Sequence, residues 1–578
     1  MRSEQIKSLK EKVLKITQPG EIEKVINYKT AYSHFKESAL DMGNTPALNY
    51  FGKTVTYKEL LDMVDIAAKG FAELGVQYND VVTLSLLATP YGIIAFYALD
   101  KLGAVMHMVN GAAGIDELKR ELKTFNSKIF VGNDLFCSQE VRTALKETGV
   151  ETIVTISLTD MLPKGFNSDK MQYSIIEKLK GLKKKEYENK SILRFGDIIK
   201  LGALSKKDIQ PCAFVTDKMA VVAYTSGSTG DSKACVATWN GIEAMVEIMA
   251  MTEENRFKRG DVFFSTFPLW IYYSLLNMIH EPLCLGVTLA LDPLFKPENI
   301  LKRNKQYKFN HWLTIPPYIK KMLELGKPTD CSRWKIIVTG GDALQDEIKI
   351  NADKFIADNG GTAKVVQGYG ASECLGSFAY CYYDDYSVGS VGKPCIGNII
   401  KILDVDTGKE LGVNEIGVGY FYTAARMKEY YGNPEATAHN LITDENGVVW
   451  YNTEDLVHVN ERGEIFLDGR IRRIVLTLDK EGNPTKIIPD RVKKELLHNS
   501  AVDRCEVITV PDSVKENVAV AFVVKSAEVS KEELIAFCAA NVPEYMVPVD
   551  IAFIDDIPLT PAKKPDLKAL ENTYLNNR

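Results

Sequence analysis

MAVVAYTSGSTGDSKACVATWNG, residues 219–241, runs an apolar segment into a loop made almost wholly of small hydroxyl and glycine residues. The run Met219–Ala223 predicts a strand, and the loop after it predicts a phosphate cradle. Gly227 and Gly230 let backbone N–H groups approach a polyphosphate, Thr225, Ser226, Ser228 and Thr229 offer hydroxyls, and Lys233 supplies a positive charge. A P-loop NTPase is disfavoured: Ser232 stands where that motif needs glycine before the lysine, and Ala234 replaces the Ser or Thr that ligates magnesium.

Working outward, strands and helices alternate as in βαβ units. ALNYFGKTVTYKEL, from Ala47, gives two short β-rich pieces about a Gly-Lys turn, then a helical pattern through Leu60, Val64, Ala67 and Phe71. VVTLSLLAT and the helical YGIIAFYALDKLGAV follow, and KIFVGND, ETIVTIS, HWLTIPP, KIIVTGGD and AKVVQGYG continue the alternation. A parallel sheet covered by helices is implied. From about Lys393 the text turns β-rich, and near Gly469 it changes again: a hairpin signal at Glu481–Pro484 precedes a helix from Pro489 to Asn499. The fold class expected is therefore α/β, with a large N-terminal body of several sheets and a β-rich subdomain (1–469) and a small α+β C-terminal domain (470–578).

Composition agrees. A chain of 578 residues exceeds what one core supports, and 46% hydrophobic with 25% charged residues suits a globular protein. The net charge of -6 comes without a basic stripe, so no nucleic acid is expected; the Lys183–Lys185 run reads as solvated surface. Ten cysteines lie far apart with no C-x-x-C pair and no cysteine–histidine cluster at metal spacing, so neither disulfides nor zinc are expected and a cytoplasmic setting fits. MRSEQIKSLKEKVLKI lacks the apolar block of a signal peptide and reads as an amphipathic surface helix. The apolar stretches Thr83–Leu99 and Leu269–Leu291 are interrupted, the first by Pro90 and the second by Asn277, His280, Glu281 and Pro282, so both read as core and no membrane span is expected.

The loop text YTSGSTGDSK, Tyr224–Lys233, resembles the adenylate-forming superfamily of acyl-CoA and aryl-CoA synthetases, peptide adenylation domains and firefly luciferase, and further motifs follow in that family's order. QGYGASE, Gln367–Glu373, is similar to its Q-x-Y-G-x-T-E. The resemblance implies Tyr369 against adenine, Ser372 at the α-phosphate and Glu373 as the Mg2+ ligand. Thr339–Leu344 resembles the segment whose backbone meets adenine, with Gly341 and Asp342 there. Lys428, Tyr430 and GNPEAT (432–437) also fit and read as structural. WYNTEDLVHVNERGEIFLDGR resembles W-x-x-T-G-D-L...G-R, with Glu454 in the glycine position, Asp455 at the ribose and Arg470 closing the block. DDIPLTPAKKPDLKAL puts Lys564 at the catalytic lysine, with Lys563 in place of glycine and Leu567 where Arg is common.

The function so implied is ATP-dependent activation of a carboxylic acid to acyl-AMP, then transfer to a thiol. Lys233, Glu373 and Lys564 would neutralise the charge that moves onto pyrophosphate. The small domain would rotate about Arg472 between the two steps. Ile271, Tyr272, Tyr273, Gly340, Gly370 and Cys374 would form the acid pocket, and the absence of Asp from Phe263 through Leu291 favours a fatty or aryl acid over an α-amino acid. After the hinge, IVLTLDKEGNPTKIIPD replaces the family's I-K-x-x-G, which leaves coenzyme A or the phosphopantetheine arm of a carrier protein as acceptor. Two alternatives stand: an adenylation enzyme that loads a carrier protein, and a nucleotide-binding protein without turnover.

Overall fold

In the computed structural model, the described residues are all but 1, 17, 165–167, 181–191, 226–231, 254–255, 342–343, 383–385, 560–564 and 577–578. Among them, the apolar runs become the strands of two large sheets. The seven-stranded sheet is parallel from Ile192–Arg194 at one edge through Thr152–Ile156, Ile129–Asn133, Val81–Ser85 and Val105–Met108 to Met219–Tyr224, and closes with antiparallel Ala234–Thr238. The nine-stranded sheet has a parallel centre that includes Val262–Ser265, His311–Thr314, Ile336–Thr339 and Val365–Ala371, with antiparallel pairs at both edges. The expected α/β class with parallel sheets is what the chain forms.

Local chemistry sets the helix ends. Thr56 and Glu59 make a reciprocal capping box for Tyr57–Glu73. Pro90 occupies the first turn of Pro90–Leu102, and Gly103, at φ 69°, ends it in the left-handed conformation. That helix and the segment Leu269–Leu291 lie within the main apolar cluster, as core rather than membrane spans. No helix of the described residues is long and apolar enough to cross a membrane. The N-terminal helix Arg2–Val13 buries Ile6 and Val13 and exposes Glu4, Lys7, Glu11 and Lys12.

A five-stranded antiparallel sheet follows, whose long strand Val449–Val459 pairs with Gly417–Tyr422 and Ile465–Arg470. Beyond it, the hairpin Val475–Leu478/Pro484–Ile487 turns through Gly482 at φ 82°, and the helix Pro489–Leu497 packs beside a three-stranded sheet. Val418 and Leu456 share an apolar cluster with Ile487, Val492 and Leu496. The ion pairs Lys320–Asp503 (2.7 Å) and Lys486–Asp406 (2.6 Å) cross the same junction.

Candidate active site

The strands Met219–Tyr224 and Ala234–Thr238 lie side by side, with Tyr224 opposite Ala234. The loop between them is closed at its base, where Thr225 N–H donates to Lys233 O (3.0 Å) and Lys233 N–H donates to Thr225 Oγ1 (3.3 Å). Ser226, Gly227, Ser228, Thr229 and Gly230 lie outside the described residues, as do Asp342 and Lys564. Below the loop, Glu121 accepts from Asn110 N–H (3.1 Å) and from Ser232 (3.4 Å), and burial pushes its carboxyl up to about 7.

The segment around Lys428 and Tyr430 runs along the outer edge of Ala234–Thr238. Val236 N–H donates to Glu429 O (2.9 Å), Lys428 N–H to Val236 O (2.8 Å) and Tyr431 N–H to Ala234 O (2.8 Å). This backbone pairing carries the Tyr430 ring under Lys233, whose Nζ stands 4.8 Å from its centroid. The Tyr430 hydroxyl donates to Glu373 Oε1. Burial, and then the Glu373 carboxylate, hold that phenol far above its usual range, so it acts as donor. Met427 N–H donates to Glu373 O (2.7 Å), and Cys235 Sγ lies 3.3 Å from Ser372 O. One phenol thus joins the lysine of the loop to the carboxylate of QGYGASE. From sequence alone this tyrosine reads as structural, since its only signal is its spacing before GNPEAT.

A second cluster forms at Asp455. Tyr369 donates to its Oδ2 at 2.5 Å, and Arg470 Nε stands 3.2 Å from its Oδ1. Burial raises the Asp455 carboxyl and Arg470 opposes that. Glu454, in the glycine position of its motif, is held at φ 56°. That conformation penalises any side chain with a Cβ. Its carboxylate lies 3.1 Å from His439 Nε2. The strand is irregular here, with a register shift between Leu456 and Val457.

After Arg470 the chain makes a short 3₁₀ turn, Ile471–Arg473. Arg470 faces Asp455, whereas Arg473 pairs with Asp490, with Glu506 (2.9 Å) and with Val507 O (2.6 Å). Ile471 and Arg472 lie between these two anchorages.

In the expected acid pocket, Ile271 is 40% exposed and Tyr273 half-buried. Tyr272 is buried, its hydroxyl within hydrogen-bonding distance of Val221 O (3.1 Å) and Cys235 O (2.7 Å), so its polar end fastens the segment to the sheet. Residues Tyr273–His280 form a π-type turn, an element with no signature in the apolar pattern. Gly370 permits close strand approach: a Cβ there would lie 2.3 Å from Gly376 O. Gly341, at φ 82°, takes a conformation that favours glycine, and a Cβ on Gly340 would sit 3.7 Å from Gly368 O. Cys374 is buried, which raises its thiol.

With this geometry in view, residues 35–431 match the AMP-binding enzyme family, and 492–564 match the AMP-binding enzyme C-terminal domain. A 4-coumarate–CoA ligase-like protein of Arabidopsis thaliana (number 6 of its series) is 25% identical over 539 residues, 91% of this chain and 87% of that protein. A long-chain-fatty-acid–CoA ligase of Bacillus subtilis (strain 168) is 27% identical over 544 residues, 93% of each. The fold is that of o-succinylbenzoate CoA synthetase from Bacillus subtilis in complex with its acyl-adenylate intermediate: TM-score 0.72, 19% identity, covering 94% of this chain and 99% of that one.

Proposed function

The chain belongs to the AMP-binding enzyme family, and from that premise we propose that it activates a carboxylic acid as acyl-AMP and passes the acyl group to coenzyme A. The observation that carries the reading is the Lys233–Tyr430–Glu373 contact, which assembles charge of both signs at the mouth of a loop suited to ATP phosphates. An AMP-forming acid–CoA ligase uses ATP and coenzyme A as substrates, and both relatives named above bear the coenzyme in their names. Their acids, a long-chain fatty acid in one name and 4-coumarate in the other, support a fatty or aryl acid here.

In the first step a carboxylate oxygen of the acid attacks the α-phosphorus of ATP and the bond to pyrophosphate breaks. In the second a coenzyme A thiolate attacks the acyl carbonyl and AMP leaves. We assign Lys233 to the phosphates, with Tyr430 limiting its swing. We assign Asp455 to the ribose hydroxyls, Tyr369 and Gly341 to adenine, and Ser372 to the α-phosphate. Thr225 with residues 226–230 cradles the leaving side. Lys564 would join the phosphates in the first step and withdraw for the second as residues 470–578 turn about Arg472, a gating motion. We place the boundary at 469/470, beside the short turn Ile471–Arg473. Ile271, Tyr273, Gly340, Gly370 and Cys374 would contact the acid, and Tyr272 would support them.

The half-buried Glu373 carboxylate, already positioned by a phenol donor, is an oxygen ligand of the kind Mg2+ takes beside polyphosphate. When bound, the ion would offset charge on the pyrophosphate oxygens.

Acid-dependent exchange of pyrophosphate into ATP over a panel of fatty and aryl acids, followed by detection of the CoA thioester, tests the reading. Exchange with no acid class would overturn it. Lys564→Ala is expected to slow exchange sharply and to leave thiolysis of supplied acyl-adenylate nearly intact; equal loss of both steps removes Lys564 from its role.

A further inference from the structure

Among residues given no role above, three helical segments bring five metal-binding side chains into one dry place. His34 comes from Ala31–Met42, Glu243 and Glu247 from Trp239–Thr252, and His280 and Cys284 from the run Tyr273–His280/Glu281–Cys284. All five are buried, none more than 3% exposed. His34 Nδ1 lies 2.8 Å from Glu243 Oε2, and His280 Nε2 lies 3.5 Å from Glu243 Oε1. Cys284 Sγ is 3.5 Å from His280 Nδ1, which also contacts the Tyr97 hydroxyl at 3.0 Å. Donor atoms of His34, His280 and Cys284 lie within 4.8 Å of one another, and so do those of His34, Glu243 and Glu247.

The spacing has a reason. Glu243 and Glu247 are one helical turn apart, as are His280 and Cys284, so each pair presents two donors to the same side. Paired donors of this kind from neighbouring helices build metal sites inside helix bundles. Ser38, one turn after His34, donates to Cys284 O (2.7 Å) and locks two of the segments together at the cluster. A buried His–Glu hydrogen bond needs only two partners. The second imidazole, the thiol and the second carboxylate add desolvation cost that a cation at the centre would offset.

We propose that His34, His280 and Cys284 bind one zinc ion, with Glu243 behind the His34 ring and Glu247 alongside it. Mixed nitrogen and sulfur donors suit Zn2+, whereas Mg2+ and Ca2+ take oxygen alone. The cluster is closed to solvent, so the ion's role is structural. With Nδ1 of His34 on Glu243, Nε2 is the ring atom that would face the metal, and the carboxylate would orient the ring. The ion would clamp the helix that follows the phosphate-loop strands to the segment that follows Trp270 and Tyr272. The sequence gives little sign of it, because His34 lies 209 residues from Glu243. The assignment stands independently of the acid-activating reading.

Full-length protein, expressed with added zinc and purified without chelator, is measured for bound metal and thermal stability. About one zinc per chain is expected, with a lower melting temperature after dipicolinate extraction that Zn2+ restores. In Co2+-exchanged protein a thiolate-to-cobalt charge-transfer band should appear, vanish in Cys284→Ser and survive in the control Cys212→Ser. His280→Gln should lower metal affinity by at least about tenfold. Substoichiometric metal with no Zn2+-dependent melting shift overturns the proposal, as does a charge-transfer band unchanged in Cys284→Ser. Should the His280 variant fail to fold, the wild-type metal content and its chelator response still decide.

Discussion

The hydroxyl of Tyr369 donates a 2.5 Å hydrogen bond to Asp455 Oδ2, joining two motifs 86 residues apart. With Arg470 on the other oxygen, the carboxylate is held from both sides in the proposed nucleotide site. Asp455→Asn keeps the shape and removes the charge. A hydrogen bond to a charged group contributes about 1.5–3 kcal/mol, so KM for ATP in the exchange assay is expected to rise by about tenfold to a hundredfold. An unchanged KM would release Asp455 from the ribose.

Tyr430→Phe retains the ring beneath Lys233 and deletes the donor to Glu373. The expected result is an exchange rate lower by about tenfold at limiting Mg2+, recovering in part at high Mg2+, with melting temperature little changed. A rate loss that ignores Mg2+ would separate Tyr430 from the metal-binding role of Glu373.

Glu454 is held in a left-handed conformation where the family pattern has glycine. A β-branched residue there is strained, whereas glycine is not. Glu454→Val is expected to cost about 1–2 kcal/mol in chemical denaturation and Glu454→Gly to cost none. Equal losses would show that the contact to His439, rather than backbone strain, sets the stability of this turn.

Glu121 gives a pH dependence with a definite sign. Burial raises its carboxyl from the ordinary 4.5 to about 7, so between these values the native state binds the proton more tightly than the unfolded chain. Stability from this group is therefore full below pH 4.5 and is lost as pH rises toward 7. Glu121→Gln should remove that loss, gaining up to about 3 kcal/mol relative to wild type between pH 5 and pH 8 in urea titrations. A difference that does not vary with pH would refute the assignment.

The nucleotide motifs were legible because each is contiguous. A strand, a glycine-rich stretch and a lysine within Met219–Lys233 are legible from local sequence, and the buried strands announce themselves as apolar runs such as Ile336–Thr339. The small-domain hairpin was likewise readable from Gly482 and its flanking strands. Tyr430 was not. Its place under Lys233 depends on a backbone pairing with Ala234–Thr238 that no periodicity encodes.

The sequence by itself thus determined the α/β alternation, the order of the motifs and the chemistry of the loop, since these follow from side-chain type and near-neighbour spacing. The tertiary structure alone decided which distant residues meet. It set Tyr430 between Lys233 and Glu373, engaged Asp455 with Tyr369, turned the Tyr272 hydroxyl toward the sheet and gathered His34, Glu243 and His280 into one buried cluster. Such meetings come from the packing of whole elements, whose register is fixed by many weak contacts summed over the core rather than by any local run of residues.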